Sequence, residues 1–253
     1  MTSGSEADKP RTIPIGSGNA KHPKPCINGS IWKKVCGEFE SGEADGAASQ
    51  VIYNALTTYP DLVLVTGGPL TNVYSYLKTY EKTDQVISLW IGQGGFAGAN
   101  VVPEQNQLSK FKGMTTCPTF NFNGNIKAAD YCLNSKRIKR KLLVSKNVCH
   151  GCICNEAFFT QLTKYKNSNL GLNCIHQGLS VYAEKKNFNK KLHDLLAAAC
   201  VVQENIVVFK PVQMSHNNTK YGVEWGCQLA PNSDVFISVH YDPRLFFNTV
   251  AGI

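Results

Sequence analysis

The chain has 253 residues, of which 43% are hydrophobic, and it carries a formal net charge of +8 at pH 7. This length suits one large domain with a sizeable core, and the lack of any apolar run of about 18 residues indicates no transmembrane helix. The polar first 25 residues indicate no signal peptide, so we expect a cytoplasmic protein whose ten cysteines are reduced thiols.

The N-terminal segment differs from the rest of the chain. Residues 1–30 are rich in Pro, Gly, Lys and Ser and show little periodicity, which predicts a poorly ordered arm before one domain at 31–253. The next elements predicted are, in order, a helix over 44–56, a strand over 61–65, a helix over 70–80 and a buried strand over 85–91. Strands and helices therefore alternate.

The same alternation continues after a polar loop at 101–118. The later predicted elements are a helix over 126–134, a strand over 141–145, two or three helices over 155–202, strands over 206–209, 221–227 and 234–239, and a helix over 243–250. This order predicts an α/β protein with a mainly parallel sheet and helices on both faces. Ligands of such sheets bind at the carboxyl ends of the strands.

The densest positive charge is the segment KRIKRK, from Lys136 to Lys141. It follows the predicted helix over 126–134, so we interpret it as a solvated helix end whose cations complement the helix dipole. No aromatic residues are interleaved with it, and nucleic acid is therefore not the partner we predict. A basic protein that binds nucleic acid remains the weaker alternative.

The segment CHGCIC contains one CxxC pair and His150, which are residue types that bind zinc. A second ligand pair at zinc-finger spacing is absent from the sequence, so we do not predict a structural zinc site. Cys149 and His150 are adjacent in the chain and point in different directions, which disfavours a Cys-His catalytic pair.

Three further segments contain candidate binding residues. VTGGPLTN follows a predicted strand and opens a helix, so its glycines either let the backbone approach a ligand or only form the turn. Asn100 and Asn121 follow loops and are candidates to bind sugar hydroxyls, with a plain turn role as the alternative. His193 and Asp194 begin an apolar helix and are candidates for a proton donor and a cation ligand, with Asp194 otherwise a first-turn acid.

Four segments, VTGGPLTN, GGFAGANVVP, TFNFNGNIKAA and KLHDLLAAA, follow one another in an order and spacing that resembles the inosine/uridine-preferring nucleoside hydrolase family. The segment PNSDVFISVHYDPRLFF is similar to the closing strand and helix of that family. The resemblance implies a Rossmann-like fold. It also implies a glycosidase that hydrolyses the N-glycosidic bond of ribonucleosides to ribose and free base, in purine and pyrimidine nucleoside catabolism.

The resemblance also implies roles for individual residues. A Ca²⁺ ion would be bound by N-terminal aspartates, by the backbone carbonyl of Thr66 and by Asp194, consistent with the oxygen ligands that calcium prefers. Asn100 and Asn121 would hold the ribose hydroxyls, and His193 would protonate the departing base. The aromatic candidates for stacking on the base are Tyr182, Phe188, Tyr221 and Trp225, with core packing as their alternative role.

Three parts of the family pattern differ in this sequence, one of them a His-Gly pair that is not visible in KKVCGEFESG. The aspartate cluster D-x-D-x-x-x-D-D does not occur, and Thr119 replaces an acidic residue near the ribose, for which Glu104 is a candidate substitute. The differences imply an N-terminally incomplete member that lacks the first β-α-β unit. A truncated gene model, a partner chain that supplies the missing part, and a nucleoside- or ribose-binding pseudoenzyme are all open explanations. The family's habit also makes a homo-oligomer the expected state.

Overall fold

The structure is a computed structural model that describes residues 13–18, 29–38, 43–185, 188–220 and 222–253. The predicted N-terminal arm at 1–30 lies largely outside these residues, and so does Tyr221. Within the described part of the chain, no helix combines the length and the apolar character needed to cross a membrane.

The helices of the described residues match most of the predicted ones within a few residues. They are α1 Gly29–Cys36, α2 Ala48–Thr58, α3 Thr71–Thr79, α4 Phe120–Asn123, α5 Ile126–Asn134, α6 Lys146–Cys149, α7 Glu156–Tyr165, α8 Leu170–Glu184, α9 His193–Val202 and α10 Pro243–Ala251. The strands are β1 Gly16–Ser17, β2 Gly46–Ala47, β3 Val63–Thr66, β4 Ile87–Gln93, β5 Thr116–Cys117, β6 Ile138–Val144, β7 Ile153–Cys154, β8 Lys190–Lys191, β9 Val207–Thr219, β10 Gly222–Leu229 and β11 Val235–Tyr241.

A seven-stranded sheet with the order β3-β4-β6-β11-β9-β10-β5 forms the centre of the protein. The first four strands run parallel to one another, and β9, β10 and β5 then add antiparallel pairs. The α/β class and the parallel centre of the sheet are thus confirmed. The antiparallel end arises because β9 and β10 are consecutive strands that pair as a hairpin, which needs no crossover helix.

Helices cover both faces of the sheet, as predicted, because the buried strands alternate their side chains between two cores. In β4, Trp90 packs into the core formed with α2, α3 and α5, whereas Ile91 packs into the core formed with α7, α8, α9 and α10. The same alternation separates Leu142 from Leu143 in β6. A strand that is buried on both faces reads as a continuous apolar run, which the sequence shows.

The interpretation of KRIKRK as a solvated helix end is wrong. Ile138 is buried and already belongs to β6, and the charged residues around it have specific partners. Arg140 makes a bidentate pair with Glu204 at 2.6 Å, and the fully buried Lys141 donates to the Asp234 carboxylate at 2.7 Å. Paired charges are tolerated inside a strand, and only partners distant in sequence reveal that they are paired.

Candidate functional site

A cavity of about 680 Å³ opens at the carboxyl ends of the parallel strands. The segments that follow β3, β4 and β6 reach it through Gly67, Gly94 and Lys146, and the first turn of α9 also lines it. This is the edge of the sheet where the strand order predicts a ligand site. The remaining lining residues are Trp32, Gln93, Thr119, Phe120, Asn121, His150, Lys190, Lys191, Leu192, His193, Asp194 and Leu195.

Gly67 brings the turn after β3 close to the first turn of α9. A Cβ atom at this position would lie 3.0 Å from Cγ of Asp194, closer than side chains normally approach. Thr66, directly before it, accepts a hydrogen bond from Nε1 of Trp90 at 2.9 Å. The motif glycine therefore permits a close approach between the turn after β3 and the Asp194 carboxylate.

Thr119 and Asn121 flank the start of α4 on the cavity wall. Nδ2 of Asn121 donates to the backbone oxygen of Gln93 at 2.9 Å and to its side-chain Oε1 at 2.6 Å. The Asn121 amide is thereby held in one orientation. Thr119 is only 2% exposed, and its hydroxyl has no hydrogen-bond partner among the described residues. Buried hydroxyls normally have partners, so this group is available to a ligand.

His193 and His150 stack on each other beside these residues. Their ring centroids lie 4.8 Å apart and the planes are 17° from parallel. Nε2 of His193 is buried and has no partner among the described residues, whereas Nδ1 of His150 lies 2.5 Å from Nζ of Lys110. Burial lowers the pKa of His193 to about 4 and that of His150 to about 3, and the positive charges of nearby lysines contribute a smaller part of both shifts. Both imidazoles are neutral at pH 7.

The electrostatics of the cavity are dominated by lysines. Lys146, Lys190 and Lys191 line it, and Lys110 lies behind His150. Asp194 is the only carboxylate among the described lining residues. Its side chain is exposed at the mouth, yet the surrounding protein displaces enough water to raise its pKa, an effect that the charge of Lys190 opposes.

The described residues do not form a calcium site by themselves. A Ca²⁺ ion needs six to eight oxygen ligands with several negative charges, and this cavity has one carboxylate among three lysines. Cys149, His150 and His193 do bring ligand atoms within 4.8 Å of one another. However, burial raises the pKa of the Cys149 thiol to about 12, and the same lysines repel a cation. Both effects disfavour a divalent metal ion at these three groups.

Two predicted ribose-binding residues lie away from the cavity wall. Asn100 is exposed, and its Nδ2 donates to the backbone oxygen of Cys227 at 2.7 Å. Glu104 is also exposed and pairs with Lys112 at 2.9 Å. Neither lines the cavity, whereas Thr119, Asn121, His193 and Asp194 all do. Thr66 is not a lining residue, but it directly precedes Gly67, which is one.

Aromatic residues at the cavity differ from those the sequence suggested. Phe120 is 69% exposed and Trp32 is 37% exposed, and both line the cavity. By contrast, Trp225 is fully buried against Phe122 and His216, and Phe188 packs against Phe159. The chain thus holds two exposed rings where a planar ligand could stack.

Sequence reasoning missed Gln93, Lys146, Lys190, Lys191 and the contact of His150. A signal existed for two of them, because Gln93 and Lys146 stand at or just after the carboxyl ends of β4 and β6, the positions that face the ligand in parallel sheets. Lys190 and Lys191 precede His193 by three and two residues, but the sequence does not show that their side chains face the cavity.

Comparisons with known proteins agree with this fold. The model of the family described as inosine-uridine preferring nucleoside hydrolase matches residues 6–248. An uncharacterized protein of Aquifex aeolicus is 26% identical over 181 residues, which cover 70% of this chain and 58% of that protein. The chain therefore spans little more than half the length of that relative.

Three solved structures share the fold. A plant nucleoside hydrolase is 15% identical, with a TM-score of 0.64, over 95% of this chain and 81% of the other. The inosine-uridine preferring nucleoside hydrolase of Bacillus anthracis is 18% identical, with a TM-score of 0.62, over 96% and 80%. The purine-preferring ribonucleoside hydrolase of Gardnerella vaginalis is 18% identical, with a TM-score of 0.59, over 93% and 77%.

The resemblance seen in the four sequence segments is thus confirmed over nearly the whole chain. Metal dependence is general in this family, and its members bind nucleosides as substrates. This chain belongs to the inosine-uridine preferring nucleoside hydrolase family.

Proposed function

We propose that the cavity beside α9 binds a ribonucleoside, and that the N-ribohydrolase-type function of this chain is exercised there. One observation carries the proposal. Thr119, Asn121, His193 and Asp194, which come from two motifs about 70 residues apart, line one cavity at the carboxyl ends of the parallel strands. Pockets of several hundred cubic ångströms with a few convergent polar groups are the usual size for small ligands.

The ribose would be held by the amide and hydroxyl groups of the cavity. Oδ1 of Asn121 is an acceptor on an amide whose Nδ2 is already committed to Gln93. The unpartnered Thr119 hydroxyl both donates and accepts, which suits a sugar hydroxyl. Phe120 and Trp32 offer exposed rings for the base.

Binding is tested by calorimetry with inosine and uridine. We expect heat of binding with the wild-type chain and a roughly ten-fold weaker affinity for Asn121→Ala, which loses one fixed hydrogen-bonding group. Asn54→Ala, on the exposed side of α2, is the matched control and should bind as the wild type does. No heat at millimolar nucleoside would refute this proposal.

Hydrolysis of the bound nucleoside is the second candidate function, and the adjacency of His193 and Asp194 favours it. Cleavage creates positive charge on the sugar ring, which the Asp194 carboxylate would stabilise. His193 is neutral at pH 7, so it would donate one N–H hydrogen bond to the departing base and would carry no extra proton. Three lysines on the wall oppose the developing positive charge, which is why binding is the first proposal.

Ribose release decides between hydrolysis and binding alone. Purified chain is incubated with inosine or uridine, with and without Ca²⁺, and free ribose is measured against a no-protein control. Loss of activity in Asp194→Asn, with nucleoside binding retained, would support hydrolysis. Ribose at the level of the control, together with measurable binding, would leave a riboside-binding protein.

Calcium, a cytoplasmic location and a homo-oligomeric state stay predictions from the sequence. The proposal above uses none of them. Thr66 and Asp194 are the residues that the family resemblance assigns to the ion, and the charge of the cavity gives no further support for it.

A further inference from the structure

The lysines of the cavity have no acidic partners. Among the residues that the structure describes, no carboxylate lies within 4.0 Å of Lys146, Lys190 or Lys191. Lys146 donates to the backbone oxygen of Pro118 at 2.7 Å, and Nζ of Lys190 lies 4.7 Å above the Tyr182 ring. These contacts fix the two side chains without neutralising them. Ammonium groups that share a concave site raise the local concentration of anions.

Two buried polar atoms without partners belong to residues that line the same cavity. They are the hydroxyl of Thr119, which is 2% exposed, and Nε2 of His193. A buried polar atom without a partner costs free energy that a bound ligand recovers. Both atoms can donate a hydrogen bond to an oxygen.

The backbone at the start of α9 adds a third feature that favours negative charge, and the Asp194 carboxylate in the first turn opposes it. Leu192 occupies the N-cap position and offers no side-chain acceptor to the first-turn N–H groups. Residues 192–195 all line the cavity, so the positive end of the ten-residue helix faces it. Helix N-termini bind anions because unpaired N–H groups and the helix dipole act together.

We propose that the ligand of this cavity is a phosphorylated riboside whose phosphate group lies among Lys146, Lys190 and Lys191 at the start of α9. The proposal rests on the proposed function, which supplies the riboside part. A phosphate monoester is the anionic form that a riboside most simply takes, and its oxygens accept charge-assisted hydrogen bonds from ammonium groups. A neutral nucleoside leaves the three lysines unpaired.

Calorimetry with inosine, inosine 5′-monophosphate and inorganic phosphate tests the proposal. We expect the monophosphate to bind at least roughly ten-fold more tightly than inosine at about 0.05 M salt. That advantage should shrink at about 0.5 M salt, because salt screens the phosphate-lysine attraction. Inorganic phosphate should bind more weakly than the monophosphate, since it lacks the riboside.

Two double variants that remove the same charge test whether the cavity lysines bind the phosphate. Lys190→Gln with Lys191→Gln should lower the affinity for inosine 5′-monophosphate roughly ten-fold more than it lowers the affinity for inosine. Lys136→Gln with Lys139→Gln removes the same charge from exposed positions at the amino end of β6, away from the cavity, and should change neither affinity. Thermal melting verifies that both double variants remain folded.

The outcomes separate this inference from the function on which it rests. Equal affinities for inosine and its monophosphate overturn the inference and leave the proposed function standing. Equal affinities for the monophosphate and inorganic phosphate overturn it by indicating an anion site without riboside recognition. If the exposed double variant loses as much affinity as the cavity variant, the effect is one of net charge and the assignment of these lysines is wrong.

Discussion

The absence of a side chain at Gly67 shapes the cavity. Its Cα lies so near Asp194 that a Cβ would stand 3.0 Å from Cγ and 3.2 Å from Oδ1 of the carboxylate. Gly68, the next residue, has open space at the same point. The two glycines of VTGGPLTN therefore have different roles, although they are identical in the sequence.

Replacing Gly67 should impair the cavity without unfolding the protein. In Gly67→Ala the new Cβ must push the Asp194 carboxylate or the start of α9 outward, so we expect nucleoside affinity to fall by roughly ten-fold or more. Gly68→Ala is the control and should bind as the wild type does, because nothing lies within 4 Å of its Cβ. Calorimetry measures both. Equal affinities of the two variants would contradict the role given to Gly67.

The stacked histidines predict how stability depends on pH. Folding lowers the pKa of His150 to about 3 and that of His193 to about 4, from the ordinary value of 6.5. Between pH 6.5 and about 4 the unfolded chain therefore binds more protons than the folded chain. The free energy of unfolding contributed by this pair is complete above pH 6.5 and is lost as the pH falls through that window.

Urea unfolding at several pH values tests this dependence. The double variant His150→Gln and His193→Gln should lose less stability between pH 6.5 and 4.5 than the wild type, because it has no imidazoles to protonate there. His240→Gln, on an exposed position of β11, serves as the control. A double variant whose pH profile is as steep as that of the wild type would refute the coupling.

The individual site residues were predictable where they belong to motifs. His193 and Asp194 start an apolar helix, and Asn121 follows a turn, so their types and positions pointed to one site before the structure did. Asn100 is different, because it lies outside the cavity and donates to Cys227, 127 residues away. A long-range partner of this kind leaves no trace in a local pattern. The site roles of all these residues stay predictions until binding is measured.

At the scale of elements, local signals fixed some boundaries and left others open. Helix α5 has the predicted bounds because Asn125 caps it, with Oδ1 accepting from the Ala128 N–H at 3.0 Å, and its apolar face is regular. Strand β9 extends ten residues beyond the predicted end, as its polar second half pairs with β10 at the antiparallel end of the sheet. The strand continues because it pairs with β10, and not because of hydrophobic periodicity.

Arg137 joins three elements and gives a stability prediction. Its guanidinium donates to the backbone oxygens of Gln85 and Leu77 at 3.0 and 3.2 Å, and to the hydroxyls of Tyr76 and Thr83 at 3.1 and 3.0 Å. It thereby fastens the end of α3 and the turn before β4 to the start of β6.

Arg137→Lys should destabilise the protein by about 2 kcal/mol, because an ammonium cannot reach four acceptors and leaves buried oxygens without donors. Denaturant unfolding measures the change. Lys139→Gln, two residues further along β6 and exposed, is the control and should lie within about 0.5 kcal/mol of the wild type. If Arg137→Lys is as stable as this control, the four hydrogen bonds contribute nothing measurable.

At the scale of the whole molecule, the sequence predicted the layers but not the charge of the cavity. The alternation of strands and helices was enough to predict a parallel sheet covered on both faces, and the structure confirms it. The charge of the cavity depends on which lysines from α6 and β8 meet across the fold. A net charge of +8 over 253 residues contains no such information.

This charge leads to a prediction about calcium for the chain as a whole. An ion that binds the folded state raises Tm in proportion to RT ln(1 + [L]/Kd), and binding requires oxygen ligands that offset the lysines. Because Asp194 is the only carboxylate among the described lining residues, about 5 mM Ca²⁺ should shift Tm by less than about 1 °C. Inosine 5′-monophosphate at the same concentration should raise Tm by several degrees. A calcium shift that Asp194→Asn abolishes and a chelator reverses would instead demonstrate a functional cation site, with its other ligands outside the cavity residues described.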